Sequence, residues 1–186
     1  MLLSLLGSAA LAAASLASHA DTTKIRTIIA SPTISRAPAV NISSAITADS
    51  IVVEKSKRTL TLYQLGIPVR TYKVALGKEP VGDKIKIGDN RTPEGVFFID
   101  FKKPESKYYK SLHISYPDAA HAARASKLGV APGGDIMIHG LPSAFAKLGQ
   151  EHRTFDWTEG CIAVTNAEID EIWRAIPMGA MIQIKP

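Results

Sequence analysis

The chain has 186 residues, with 22 Lys and Arg against 17 Asp and Glu, a formal net charge of +5 and a single cysteine. That length fits one globular domain with a short appendage, and 46% hydrophobic with 21% charged residues excludes wholesale disorder. One Cys excludes an internal disulfide framework and a Cys-rich zinc module; the basic balance favours anionic partners, yet the charges are dispersed, with no nucleic-acid-binding motif among them.

Residues 1–20 contain no Asp, Glu, Lys or Arg, and the apolar run from Leu2 to Leu16 ends in Ser18-His19-Ala20, the small residues a signal peptidase reads. We therefore place a signal peptide at 1–20. The run is shorter than the roughly 20 residues of a membrane span, which disfavours an uncleaved anchor. Export to the periplasm or cell envelope follows, with no stable membrane span after cleavage. A lone Cys in an oxidising compartment then asks for a chemical reason. Residues 21–48 hold Thr, Ser, Pro and Ala without a sustained period and read as a linker or flexible arm, leaving 49–186 as the folded domain.

Apolar alternation predicts strands at 51–55, 59–64 and 69–76, separated by turns at 56–58 and 66–68. Four more are expected at 96–101, 112–116, 135–139 and 161–164, and a last at 181–184. Eight short strands with turn signals between them argue for a mainly β sandwich or barrel. Helices are few. Segment 118–128 lies between Pro117 and Gly129, and 143–148 between Pro142 and Gly149. The third, 166–175, starts after Thr165 with Glu168 in capping-box position and carries Ile169, Ile172, Trp173 and Ile176 as one apolar stripe. Trp173 is thus expected in the core.

Chemistry concentrates between His139 and Cys161. His139 ends the apolar run Ile136-Met137-Ile138 and precedes Gly140; Cys161 follows Gly160 and opens Ile162-Ala163-Val164. A thiol is a poor nucleophile until deprotonated, and imidazole is the common device for that. Adjacent strand ends would present both side chains at one rim. Gly160 would let substrate approach the backbone, leaving the amides of Gly160 and Cys161 free as an oxyanion hole. The competing reading is a Cys that is a small core hydrophobe and a His that is a satisfied polar residue.

The segments Arg91-Thr92-Pro93-Glu94-Gly95-Val96-Phe97, Ile138-His139-Gly140 and Thr158-Glu159-Gly160-Cys161-Ile162 resemble the markers of the L,D-transpeptidase (YkuD-type) family, in its order. The resemblance runs from about Ser50 to Pro186 and takes in the opening-strand segment Leu60-Thr61-Leu62-Tyr63. It implies a β-sandwich with a few short helices, Cys161 as nucleophile, His139 as base, and Thr158 as a brace for the loop. It also implies acyl transfer on peptidoglycan stem peptides through a thioester, without metal or cofactor. Glu159 and Ala163 depart from the residues frequent at those places in the family. The acceptor stays open: crosslinking, protein attachment and hydrolysis share the acylation step. A non-catalytic wall-binding module is the other class of reading, and the retained His139 and Cys161 argue against it.

A thiolate–imidazolium pair would make Cys161 alkylate rapidly well below pH 8.5. Glu159, two residues from Cys161, either faces the same cleft and attracts an acceptor ammonium or turns into solvent. His113, His121 and His152 lack the spacing of a zinc site. Arg124 and Arg153 are expected on the surface rather than on a substrate carboxylate, and Trp157 beneath the cleft.

Overall fold

The computed structural model describes residues 46–186, so the expected signal peptide and the arm up to residue 45 lie outside the described residues. Eight strands follow one another as β1 (Ser50–Glu54), β2 (Thr59–Gln64), β3 (Ile67–Lys73), β4 (Gly95–Ser106), β5 (Tyr109–Ile114), β6 (Met137–His139), β7 (Ile162–Ala163) and β8 (Met181–Lys185). They form one mixed sheet in the order β3-β2-β1-β8-β4-β5-β6-β7. The β1–β8 and β6–β7 pairs are parallel and the rest antiparallel. Helices α1 (Ala119–Lys127) and α2 (Asn166–Ala175) and a 3₁₀ stretch (Ala146–Thr154) complete the expected mainly β architecture.

Beyond β3 the chain crosses to the far edge of the sheet. Ala75 exchanges both backbone hydrogen bonds with Ala163 of β7, at 3.0 and 2.9 Å. The two ends of the sheet are thereby joined around a shared core of Ile51, Val53, Leu60, Leu62, Phe97 and Ile99, all fully buried, with Ile182 and Ile184 from β8. Full burial of such a side chain contributes about 1.5–3 kcal/mol. A one-residue slip of β8 would expose Ile182 and Ile184 and bury Gln183, so its register beside β1 is fixed by several kcal/mol.

β2 and α2 run as expected from strand alternation and from the capping box; several other elements shift by a residue or two at their ends, and four differences have a clear physical reason. β3 begins at Ile67, because Leu65 and Gly66, at φ 51° and 78°, make a two-residue turn and Pro68 is tolerated on an edge strand. β4 runs to Ser106 rather than 101, its outer half pairing with β5 past the core, where no apolar alternation is required. β5 correspondingly starts at Tyr109 rather than 112. The helix expected at 143–148 is the 3₁₀ stretch instead, which continues past Gly149 through a kink at φ 51°. Ala48, assigned to the arm, is buried and donates to the Ala175 carbonyl at 3.0 Å.

α2 carries the full capping box, Thr165 accepting from the Glu168 amide and Glu168 from the Thr165 amide. Ile169 and Ile172 are buried, while Trp173 is half-buried beneath Lys102, whose Nζ lies 5.1 Å from its ring centroid. Lys55 is only 2% exposed, and its ammonium donates to the Gly82 and Thr92 carbonyls and to Glu94, at 2.6, 3.0 and 2.8 Å. A buried ammonium with three acceptors pins the 82–94 loop, which in turn supports the site.

Candidate active site

β6 and β7 run parallel with Ile138 opposite Ile162 and His139 opposite Ala163. Extending that register by one step sets Cys161 opposite Met137, and alternate residues share a face, so Cys161 and His139 are diagonal neighbours on one side. Both line a single cleft of about 870 Å³, together with Tyr108, Trp157, Glu159 and Lys84.

His139 is 1% exposed. Its Nδ1 lies 2.7 Å from the Gly140 carbonyl oxygen. A carbonyl only accepts, so Nδ1 carries the proton and Nε2 is the basic nitrogen. Tyr108 stacks on one face of the ring (centroids 4.3 Å, planes at 25°), and Trp157 meets it edge-on at 5.8 Å and 64°. Burial pushes the imidazole down to about 4, and the nearby His152 and Lys107 charges add to this against the opposing pull of the Gly140 carbonyl. His139 is neutral at pH 7.

Cys161 is partly exposed, and its thiol donates to the Asp135 carbonyl oxygen at 3.5 Å. Burial raises its pKa above the ordinary thiol range, with Asp135 and Glu159 acting in the same direction; the Met137 amide and Lys84 oppose them. Desolvation penalises both charged forms, so burial works against the expected thiolate–imidazolium pair and favours a neutral thiol in the same cleft as a neutral imidazole.

Two further expectations change. The Gly160 amide is not free: it donates to Thr158 Oγ1 at 3.1 Å, and that hydroxyl donates to the Cys161 carbonyl at 2.7 Å. Nor is the missing side chain of Gly160 an opening for substrate. With φ at 132°, a Cβ there would stand 2.7 Å from the Arg91 carbonyl oxygen, so glycine is required by backbone approach and conformation together. Gly140 is similarly confined, its would-be Cβ 2.6 Å from Asn166 Oδ1. Thr158 also bonds through its backbone to Leu76 and Lys78, fixing the loop to the crossing strand.

Glu159 is exposed and on the cleft lining, while Trp157 both packs against Phe145 and lines the cleft. Arg153 is neither surface nor substrate-facing; it is mostly buried and paired to Glu168 at 2.9 Å. Arg124 is held by Asp83 at 2.6 Å, His121 lies between Asp83 and Asp118, and His113 is bonded to Asp100. His152 is fully buried edge-on to Trp157, and neither ring nitrogen has a partner among the described residues. No group of three or more His, Cys, Asp or Glu among the described residues could hold a metal ion. Tyr108 was missed by the sequence reading; its place at a two-residue hairpin tip is set by tertiary contact, and no local pattern marks it.

The sequence profile of the L,D-transpeptidase catalytic domain (YkuD) matches residues 48–184. The chain belongs to the L,D-transpeptidase family. It is 31% identical over 142 residues to YafK of Escherichia coli (strain K12), whose name places it among the L,D-transpeptidases, covering 73% of this chain and 50% of that protein. The fold resembles that of the helical cell shape determining protein Pgp2 from Campylobacter jejuni, with a TM-score of 0.56 at 24% identity over 73% of this chain and 47% of that one. Bd1075 of Bdellovibrio bacteriovorus superimposes with a TM-score of 0.52 at 20% identity over 75% and 48% of the two chains. The chain spans about half the length of the curated relatives it matches. An L,D-transpeptidase domain thus accounts for nearly all of the described residues, and none of their helices is long and apolar enough to cross a membrane.

Proposed function

We propose that the protein is an exported, periplasmic or cell-envelope L,D-transpeptidase acting on peptidoglycan stem peptides, with Cys161 as nucleophile and His139 as base. The observation that carries this is one cleft holding the thiol and a neutral imidazole whose Nδ1 proton is already committed to Gly140. Nε2 takes the thiol proton as sulfur attacks the carbonyl carbon of the third, diamino-acid residue of the stem. Because the resting thiol sits high and the imidazole low, proton transfer is uphill by itself and is coupled to C–S bond formation.

The oxyanion so formed is held by the Cys161 amide, for which no partner is found among the described residues, in place of the two amides first expected. The imidazolium then gives its proton to the departing amine of the terminal D-amino acid, leaving a thioester. An acceptor amine resolves the thioester, its proton returning through His139; attack by water instead gives hydrolysis. Thr158 braces the loop, and Glu159, exposed beside the sulfur, is placed to draw the acceptor ammonium. Remodelling of wall peptides would bear on cell shape, the role named for Pgp2.

The test is incubation of the purified protein with tetrapeptide muropeptides and mass spectrometry of the products. Crosslinked or amine-exchanged products are expected from wild type and none from Cys161→Ala; near-normal turnover by Cys161→Ala overturns the mechanism.

A further inference from the structure

β4 and β5 join through Lys107 and Tyr108, a two-residue turn beyond the core. Residues at such tips ordinarily face solvent, but Tyr108 is half-buried and its ring lies nearly parallel to His139 at 4.3 Å. Trp157 lies beside both rings, its centroid 6.4 Å from that of Tyr108 and 5.8 Å from that of His139. The imidazole is therefore held on one face by the hairpin tip and at its edge by the nucleophile loop. The Tyr108 carbonyl also stands 3.0 Å from where a Cβ on Gly140 would be, so the tip is seated against the backbone whose carbonyl binds Nδ1.

We propose that Tyr108 is a positioning residue for His139: its ring clamps the imidazole plane against Trp157 and excludes water from it. The inference rests on the reading of His139 as the base, and it adds a coupling. The hairpin that overhangs the cleft with Lys103 and Lys107 is also the element that keeps the base aligned and uncharged. Lys107, with its Nζ 5.0 Å from the Tyr108 ring centroid, adds a repulsive charge from the same turn. The other groups facing the imidazole are His152 behind Trp157 and Cys161, with Glu159, across the cleft. With the tip lifted, water reaches the ring, and the imidazole gains a proton in the range where a free histidine does, near pH 6.5.

Histidine side-chain NMR titration of the full chain tests this without any substrate, the His139 signal being assigned by its loss in His139→Gln. In wild type His139 stays neutral down to about pH 5. Tyr108→Phe keeps the ring and leaves this unchanged, whereas Tyr108→Ala moves the titration upward by at least one pH unit. If Tyr108→Ala is not folded by circular dichroism, Tyr108→Ser, which likewise removes the ring and its apolar cover, carries the same comparison. An unchanged titration in the folded Ala or Ser variant overturns the proposal, as does an equal shift in Tyr108→Phe. A second readout is acylation by a carbapenem: the Ala variant slows the maximal rate about tenfold or more, with half-saturation changed less than threefold. Loss of acylation in Cys161→Ser alone would bear on the nucleophile; the titration result stands apart from it.

Discussion

The Arg91 carbonyl oxygen stands 2.7 Å from the point that a Cβ on Gly160 would occupy. The loop pinned by Lys55 and the loop carrying the thiol therefore meet backbone to backbone, and any side chain at position 160 drives them apart. Gly160→Ala adds that displacement to the strain of a positive φ, a cost of about 1–3 kcal/mol. The expected result is a Tm lower by about 5 °C or more and carbapenem acylation slowed over tenfold. Gly134→Ala, with nothing within 4 Å of its Cβ and no such φ, should leave Tm within about 1 °C. Differential scanning calorimetry separates the two.

The resting thiol should alkylate slowly. Its pKa is raised by burial, so the thiolate fraction, and with it the iodoacetamide rate, stays low at neutral pH and climbs only under alkaline conditions. His139→Ala should change this rate less than twofold at pH 7 while abolishing carbapenem acylation, since the imidazole acts during attack rather than before it. A fast alkylation plateau between pH 5 and 8 in wild type would restore the ion pair and remove the coupled mechanism.

Because burial holds His139 down at about 4, the base is unprotonated throughout the neutral range. The acid limb of kcat/KM is expected near pH 4 rather than near 6.5. The same group affects stability with the matching sign: a depressed His pKa means the folded state loses stability as pH falls from about 6.5 towards 4, because the unfolded chain accepts that proton first.

Glu159→Gln should leave carbapenem acylation, read as an intact-mass adduct, within twofold of wild type. The step consuming an amine acceptor should slow by about twofold to fivefold, the worth of one exposed charge. If both steps are untouched, Glu159 is surface only; if acylation alone collapses, the carboxylate belongs to the thiol's own surroundings.

Asp89 lies in the pinned loop, where burial would raise its carboxyl but Lys84 and the amides of Ile85, Lys86 and Arg91 outweigh it and hold the group at about 2. A depressed carboxylate stabilises the fold above its unfolded pKa near 3.9, and that contribution, about 2 kcal/mol, is lost as pH falls towards 2. Urea titrations at pH 6 and pH 2.5 should include it, and Asp89→Asn should shrink the difference by about that amount, the rest coming from groups such as Asp83 and His139.

β2 and α2 were legible because each carries its own punctuation. β2 alternates cleanly between two turns, and α2 has Thr165 and Glu168 at one end and Pro177 at the other. The outer half of β4 was not, since Lys102 to Ser106 pairs with β5 without burying a face and contains Pro104. The motif segments around His139 and Cys161 stood out by residue type, and the structure brings them to one cleft. Their electrostatics did not, because burial of both groups is set by the three-dimensional packing, with Tyr108 stacked on the His139 ring from a distant hairpin. The role of Gly160 was likewise hidden: its neighbour in space is Arg91, far away in the chain.

β8, the last of the eight strands in chain order, lies between β1 and β4 near the middle of the sheet. Until residues 181–185 dock, β1 and β4 each lack the neighbour that fills one side, and the β1–β8 pairing spans most of the described domain in sequence. Such non-local closure is slow, since loop entropy must be lost before any contact rewards it. The sheet therefore closes late in folding, and a chain in which β8 has not yet docked exposes two bare strand edges, on β1 and β4, that invite pairing with other chains.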